Sequence, residues 1–166
     1  MKIIVTKPEE LDTSYLEIFE SVVCKHSKIY LEGLRDRIQK AALLSLIIKD
    51  ENVVAVRAIK KPERAYVHEL FMKGDISQYH YSQFKYETGW SVTLPEYRCQ
   101  GLSGILLKRL LQDINGNVYS TTRVSNIAPQ KILTKNGFIR AGREFAGIEE
   151  PLCVWLYFKY GGVPWH

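Results

Sequence analysis

The chain has 166 residues, 46% of them hydrophobic and 25% charged, with a formal net charge of +5. Those fractions exclude a disordered chain, no apolar run reaches the roughly 18 residues a membrane helix needs, and the length suits a single domain spanning residues 1–166. The positive charge would attract polyanions, but its Lys and Arg residues lie mostly singly, so a surface that draws a phosphorylated cofactor explains it as well as nucleic acid does.

Met1-Lys2-Ile3-Ile4-Val5-Thr6 is an apolar patch that Lys7 and Pro8 close too early for a signal peptide, and it reads as a first strand. Cys24, Cys99 and Cys153 are odd in number and far apart, which suggests neither a disulfide framework nor a Cys-x-x-Cys metal site. A reducing cytoplasm is the expected location. His26, His68, His80 and His166 are equally scattered, so no metal is expected.

Leu11, Tyr15, Ile18, Phe19, Val22 and Val23 recur at helical spacing and predict a helix beginning near Pro8. Leu31, Leu34, Ile38 and Ala42 give a weaker helical pattern interrupted by Gly33. Leu43 to Lys49 and Val53 to Ile59 are β-prone runs around a turn at Asp50-Glu51-Asn52. Lys60 to Gln83 has no clear period, although Glu63 to Met72 suits a helix, and it is expected to be an insertion or cover. Phe84 to Thr93 returns to strand character and ends at Leu94-Pro95. Gly101 to Ile114 is an amphipathic helix, stopped by Asn115-Gly116. A strand at Val118–Val124, a short helix at Ile127–Lys135 and two strands, Phe138–Phe145 and Leu152–Tyr160, complete the chain. The expected fold is α/β, a mixed sheet in the order β-α-α-β-β-β-α-β-α-β-β with helices on both faces.

The stretch that carries chemistry is Pro95-Glu96-Tyr97-Arg98-Cys99-Gln100-Gly101-Leu102-Ser103-Gly104, between a strand and the strongest helix. A glycine loop at a helix N-terminus leaves backbone N–H groups unpaired where the helix dipole adds about half a positive charge. Gly101 and Gly104 admit a diphosphate close to the backbone, and Arg98 adds a cation. The loop fits neither a P-loop nor a G-x-G-x-x-G dinucleotide turn, and in isolation it reads equally as a plain tight turn.

Arg98-x-x-Gly101-x-Ser103 resembles the pyrophosphate motif of the GNAT family of N-acetyltransferases, with Ser at the last small position. Downstream, Asn126-Ile127-Ala128-Pro129-Gln130-Lys131-Ile132-Leu133-Thr134-Lys135-Asn136-Gly137-Phe138 is similar to the family's second motif, in which Asn and Ala precede a short helix ending in Gly-Phe. The match is strongest from about Phe84 to Phe145. It implies a sheet splayed between the fourth and fifth strands and an acyl-CoA co-substrate, acetyl-CoA or another. The pantetheine arm would lie against Val92 and Thr93, the diphosphate on Arg98, Cys99, Gln100, Gly101, Leu102, Ser103 and Gly104, and Asn126 would orient the arm or cap its helix.

Period-two alternation along the fourth strand places Glu87, Gly89, Ser91 and Thr93 on one face and Thr88, Trp90 and Val92 on the other. An amine acceptor, with a pKa of about 10, must lose a proton to attack a thioester, and Glu87 is the one acid on that strand face able to take it; an exposed carboxylate or an ion-pair partner is the alternative. Many family members carry a Tyr general acid where this chain has Leu133. A thiol of pKa about 8.5 leaves tolerably unprotonated, and Ser125, Tyr119 or water are the remaining donors.

The resemblance implies transfer of an acetyl or other short acyl group to a small amine, a protein amine or an aminoacylated RNA, with no membrane partner and with a homodimer admitted. Two rivals stand beside it: a catalytically silent acyl-CoA-binding or regulatory protein, suggested by Leu133, and a basic nucleic-acid-binding module, suggested by the charge.

Overall fold

The computed structural model describes residues 1–161, so His166 lies outside the described residues. β1 (Lys2–Thr6) leads into a 3₁₀ turn at Pro8–Glu10 and then α1 (Thr13–His26). The single helix expected from Pro8 is thus two elements. Leu11 turns the backbone extended, and Asp12 restarts it by accepting a 2.9 Å bond from the Ser14 N–H. α2 (Leu34–Gln39) starts at Gly33, whose φ of 69° makes glycine the boundary of that helix rather than a flaw inside it.

β2 (Leu43–Lys49) and β3 (Asn52–Lys60) pair antiparallel through a tight turn in which Asp50 and Glu51 both have positive φ, 46° and 65°. Two helices follow, α3 (Arg64–Lys73) and α4 (Gln78–Tyr81), where the sequence predicted an insertion. This corrects the element order, since Val67, Leu70, Phe71 and Ile76 belong to a hydrophobic core rather than to an appendage. α3 is the helix that Glu63 to Met72 suited, whereas the stretch after Lys73 has no clear period, which hid α4.

The rest of the chain runs β4 (Phe84–Thr93), a 3₁₀ turn at Pro95–Tyr97, α5 (Leu102–Asp113), β5 (Asn117–Arg123), α6 (Ile127–Lys135), β6 (Ile139–Phe145) and β7 (Leu152–Tyr157). The last strand stops three residues before the predicted Tyr160. The strands follow the order β1-β2-β3-β4-β5-β7-β6 in a mixed sheet. β4 and β5 are parallel, pairing Phe84 with Asn117, Tyr86 with Val118 and Glu87 with Tyr119, whereas β7 is antiparallel to both β5 and β6.

The chain divides into two compact units, and the division falls inside β4. The first unit holds Met1–Lys61 and Thr88–Ile114. Its core has two parts. Leu16, Phe19 and Val23 of α1 and Leu34 and Ile38 of α2 pack with Leu44, Leu46, Val56 and Ala58, and Leu102 and Leu106 of α5 pack with Ile47 and Ala55. Since Ala55 and Val56 point to opposite faces of a strand, helices cover both faces of this part of the sheet. The second unit holds Pro62–Glu87 and the chain from Asn115 onward. Its core joins Val67, Leu70 and Phe71 of α3 to Phe84, Tyr119, Ala141, Val154 and Leu156.

One irregularity in β4 matters for the site. Trp90 has φ 49°, a left-handed value in mid-strand that inserts a bulge. The strict alternation predicted for Glu87 to Thr93 therefore fails: Thr88 and Ser91, three apart, both bond the same side chain, Arg57. The indole of Trp90 packs edge-on against Phe19 at 6.5 Å between centroids, and the contact holds the bulge in the α1 core.

Candidate active site

In the first unit, the loop entering α5 is built from backbone. Cys99 and Gly101 both have left-handed φ, 60° and 74°, and the helical turn beginning at Leu102 follows. A left-handed residue followed by right-handed ones turns successive N–H groups toward one concavity, the geometry that holds anions. The N–H groups of Cys99, Gln100, Gly101, Leu102, Ser103 and Gly104 find no acceptor among the described residues. A side chain atom added at Gly101 or Gly104 meets nothing within 4 Å, so no protein atom crowds the loop at these two positions.

The side chains around the loop are drawn into bracing it. Arg98 donates from Nε to the Thr93 carbonyl at 3.2 Å and remains exposed. Lys49 donates to Gln100 Oε1 at 3.0 Å, and its ammonium lies 5.7 Å from the centre of the Tyr97 ring. Val92 and Leu102 are buried in the core, so each can present only backbone to a ligand, whereas Cys99 is exposed.

Beneath the loop lies a charge the sequence analysis did not single out. Arg57 of β3 is 5% exposed and donates from Nε to Thr88 Oγ1 at 2.9 Å and from Nη1 to Ser91 Oγ at 3.2 Å and Ser103 Oγ at 2.9 Å. No carboxylate among the described residues pairs with it. Burial lowers its pKa to about 10, which still leaves it cationic at neutral pH. The signal was in plain sight, since a lone Arg inside the apolar run Val53-Val54-Ala55-Val56-Arg57-Ala58-Ile59 must be buried with partners.

In the second unit, Glu87 is 6% exposed and accepts a 2.7 Å hydrogen bond at Oε2 from the Tyr119 hydroxyl of the adjacent strand. Burial first, then the Glu87 charge and this bond, raise the Tyr119 pKa far beyond the phenol range, so its proton stays. Tyr119 is therefore a donor committed to Glu87 rather than a free acid. Tyr66 of α3 is half-exposed, and its phenol is pushed up to about 12 by burial and then by the charges of Glu87 and Glu69. No local pattern points to Tyr66, whose neighbours come from β4 and from its own helix.

The other predicted positions of this unit are held differently. Ser125, in the turn after β5, is exposed and donates to Glu150 Oε2 at 2.9 Å, next to ion pairs from Arg123 to Glu149 and Glu150. Asn126 occupies the N-cap position of α6 without a side-chain capping bond. Gln130, within the helix, ties it to the preceding turn instead, donating to the carbonyls of Arg123 and Val124 at 3.1 and 2.8 Å. Leu133 is 1% exposed, a core residue with no acid function.

A mixed sheet in this order, with helices α1, α2 and α5 around its first half and a glycine loop feeding α5, is the fold of the GNAT acetyltransferases. Solved structures share it over nearly the whole chain. ElaA of Escherichia coli is similar at a TM-score of 0.66 with 14% identity, over 93% of this chain and 97% of that one. yncA of Salmonella typhimurium, solved with its cofactor acetyl-CoA, gives a TM-score of 0.66 with 11% identity, covering 98% and 96%. The ribosomal-protein-S18-alanine N-acetyltransferase of Escherichia coli gives 0.63 with 13% identity, covering 93% and 92%. No protein-family model matches the sequence, and no curated protein matches it. Among the described residues no helix is long and apolar enough to cross a membrane.

Proposed function

We propose that the chain, acting as one domain over residues 1–166, is an N-acyltransferase that moves an acetyl or other short acyl group from acyl-CoA to a primary amine. The observation that carries this is the run of N–H groups from Cys99 to Gly104, unpaired among the described residues at a helix N-terminus, with room beside Gly101 and Gly104. Such a run meets the many acceptor oxygens of a diphosphate. The fold shared with an acetyl-CoA-bound neighbour supports the same ligand.

The co-substrate supplies the thioester whose C–S bond is exchanged for a C–N bond. Arg98 and the loop from Cys99 to Gly104 hold its diphosphate, the backbone of Val92 and Thr93 flanks its arm, and Asn126 orients it. Glu87 takes the proton that the acceptor ammonium must lose before its nitrogen attacks, directly or through water, and the second N–H proton leaves to solvent as the C–N bond forms. Tyr119 holds that carboxylate through its 2.7 Å bond to Oε2. With Leu133 buried and Tyr119 committed, the thiolate departs unprotonated or takes its proton from water, Ser125 being engaged by Glu150. The acceptor is a small amine, a protein amine or an aminoacylated RNA, and a neighbour named for a ribosomal-protein alanine supports a protein amine among these. The work would take place in the cytoplasm.

The test is mass spectrometry of a reaction of acetyl-CoA with pooled amines, peptides and aminoacyl-RNA. A protein-dependent gain of one acetyl mass on any member is the expected result. CoA binding without any acylated product would favour a silent acyl-CoA-binding protein, and binding to nucleic acid that CoA does not affect would favour the basic module.

A further inference from the structure

Arg57 makes a cluster whose hydrogen bonds do not close on themselves. Nη1 has two hydrogens, and both are used, one on Ser91 Oγ and one on Ser103 Oγ. The two hydroxyls also bond each other at 2.9 Å, which uses one of their two hydrogens. One hydroxyl hydrogen of the pair is left with no acceptor among the described residues, and so are both N–H bonds of Nη2. The cluster holds a buried positive charge with no carboxylate, so it has donors to spare and no anion.

Bracing alone does not account for this. Three hydroxyl acceptors from β4 and α5 would hold a neutral donor as well, and burying an uncompensated guanidinium is costly. Ser103 is also a member of the N–H run described above, so the spare donors and the charge lie within one residue of the loop's open face. Ser91 is exposed, which leaves the hydroxyl pair accessible.

We infer that Arg57, with Ser91 and Ser103, is the charged floor of the loop's anion site, and that its missing counter-ion is a phosphoryl group of the bound diphosphate. This rests on the acyl-CoA reading for the identity of the ligand, though not for its chemistry. Arg57 supplies the charge, and the Ser91–Ser103 pair supplies one charge-assisted O–H donor to a phosphoryl oxygen. The loop backbone would then bind the anion from one side and a fixed cation from below.

The experiment is calorimetry on the full chain with CoA, pantetheine and inorganic pyrophosphate as separate probes. Arg57→Gln should weaken CoA and pyrophosphate about 10- to 100-fold and leave pantetheine, which has no diphosphate, within about twofold. Arg57→Lys should recover part of the loss. A bracing role would instead lower the melting temperature and weaken all three probes alike, or none in the folded fraction, and either pattern would overturn the inference. If Arg57→Gln does not fold, the Ser91→Ala/Ser103→Ala double variant decides, with a severalfold loss for CoA expected and unchanged affinity contradicting. Pyrophosphate binding that Arg57→Gln weakens, in a wild type that ignores CoA, would uphold the anion floor and refute the acyl-CoA reading. A wild type that binds neither CoA nor pyrophosphate would overturn both.

Discussion

The two units concentrate opposite chemistries. The first gathers donors: six N–H groups, a buried guanidinium and two serine hydroxyls, with no acid among them. The second gathers a buried carboxylate and two phenols whose protons are held more tightly than usual. One arrangement suits an anion and the other suits a proton. On the proposed function the chain would divide a transfer reaction, with binding given to backbone donors and proton chemistry to side chains whose charge depends on neighbours. It also means that each half is open to separate attack.

The largest effect is expected from the second unit. Glu87→Gln keeps the size of the side chain and an oxygen for Tyr119, but removes the base, and should lower turnover about 10²- to 10⁴-fold with CoA affinity unchanged. The loss should shrink toward the acceptor pKa, where more of the amine arrives deprotonated. Steady-state rates across pH check both points, and a deficit equal at every pH would make Glu87 a positioning group.

The matching attack on the first unit is Gly104→Glu, expected to weaken CoA about 100-fold or more with turnover lost through binding alone. Gly104 is the better site than Gly101, because a side chain at Gly101 would also strain a backbone at φ 74°, whereas Gly104 has open space and no left-handed φ. Calorimetry on the folded variant reads the result. Comparable CoA binding would place the anion elsewhere.

The smallest effect sharpens the comparison without touching activity. The Glu87 charge raises the phenols of Tyr66 and Tyr119, so Glu87→Gln should lower the pKa of Tyr66 from about 12 toward the usual value, part of the shift remaining because burial is its first cause. Sign follows from linkage: a phenol raised in the folded state adds stability below pH 10, which is lost as pH climbs toward 12. Carbon-13 NMR of labelled tyrosines measures the shift. An unmoved Tyr66 would show that Glu87 and Tyr66 are not coupled.

What the sequence showed and hid follows from the same contrast. The donor loop is contiguous, and its glycines, flanking strand and amphipathic helix are all local signals, so its position was read directly. β2, β4 and α6 were placed to the residue because turn formers and proline punctuate their periods. The proton cluster comes from α3, β4 and β5, more than fifty residues apart at its extremes, and no local pattern announces it. Glu87 was legible as the acid of its strand, but its bond to Tyr119 depends on a parallel register that only the fold supplies. The apolar run around Arg57 signals its burial, but its partners Thr88, Ser91 and Ser103 lie more than thirty residues away and come from the fold alone, as does the left-handed turn at Trp90, where packing against Phe19 overrides the period.

The central claim is that the Cys99 to Gly104 loop binds the diphosphate of an acyl-CoA, and a thermal melt of the wild-type protein with CoA tests it most directly. A ligand present at about 100 times its dissociation constant adds about 2.7 kcal/mol and should raise the melting temperature of a chain this size by roughly 5–10 °C. The same concentration of pantetheine should do far less. A melting curve unmoved by saturating CoA, with no heat of binding by calorimetry, would contradict the account at its first step.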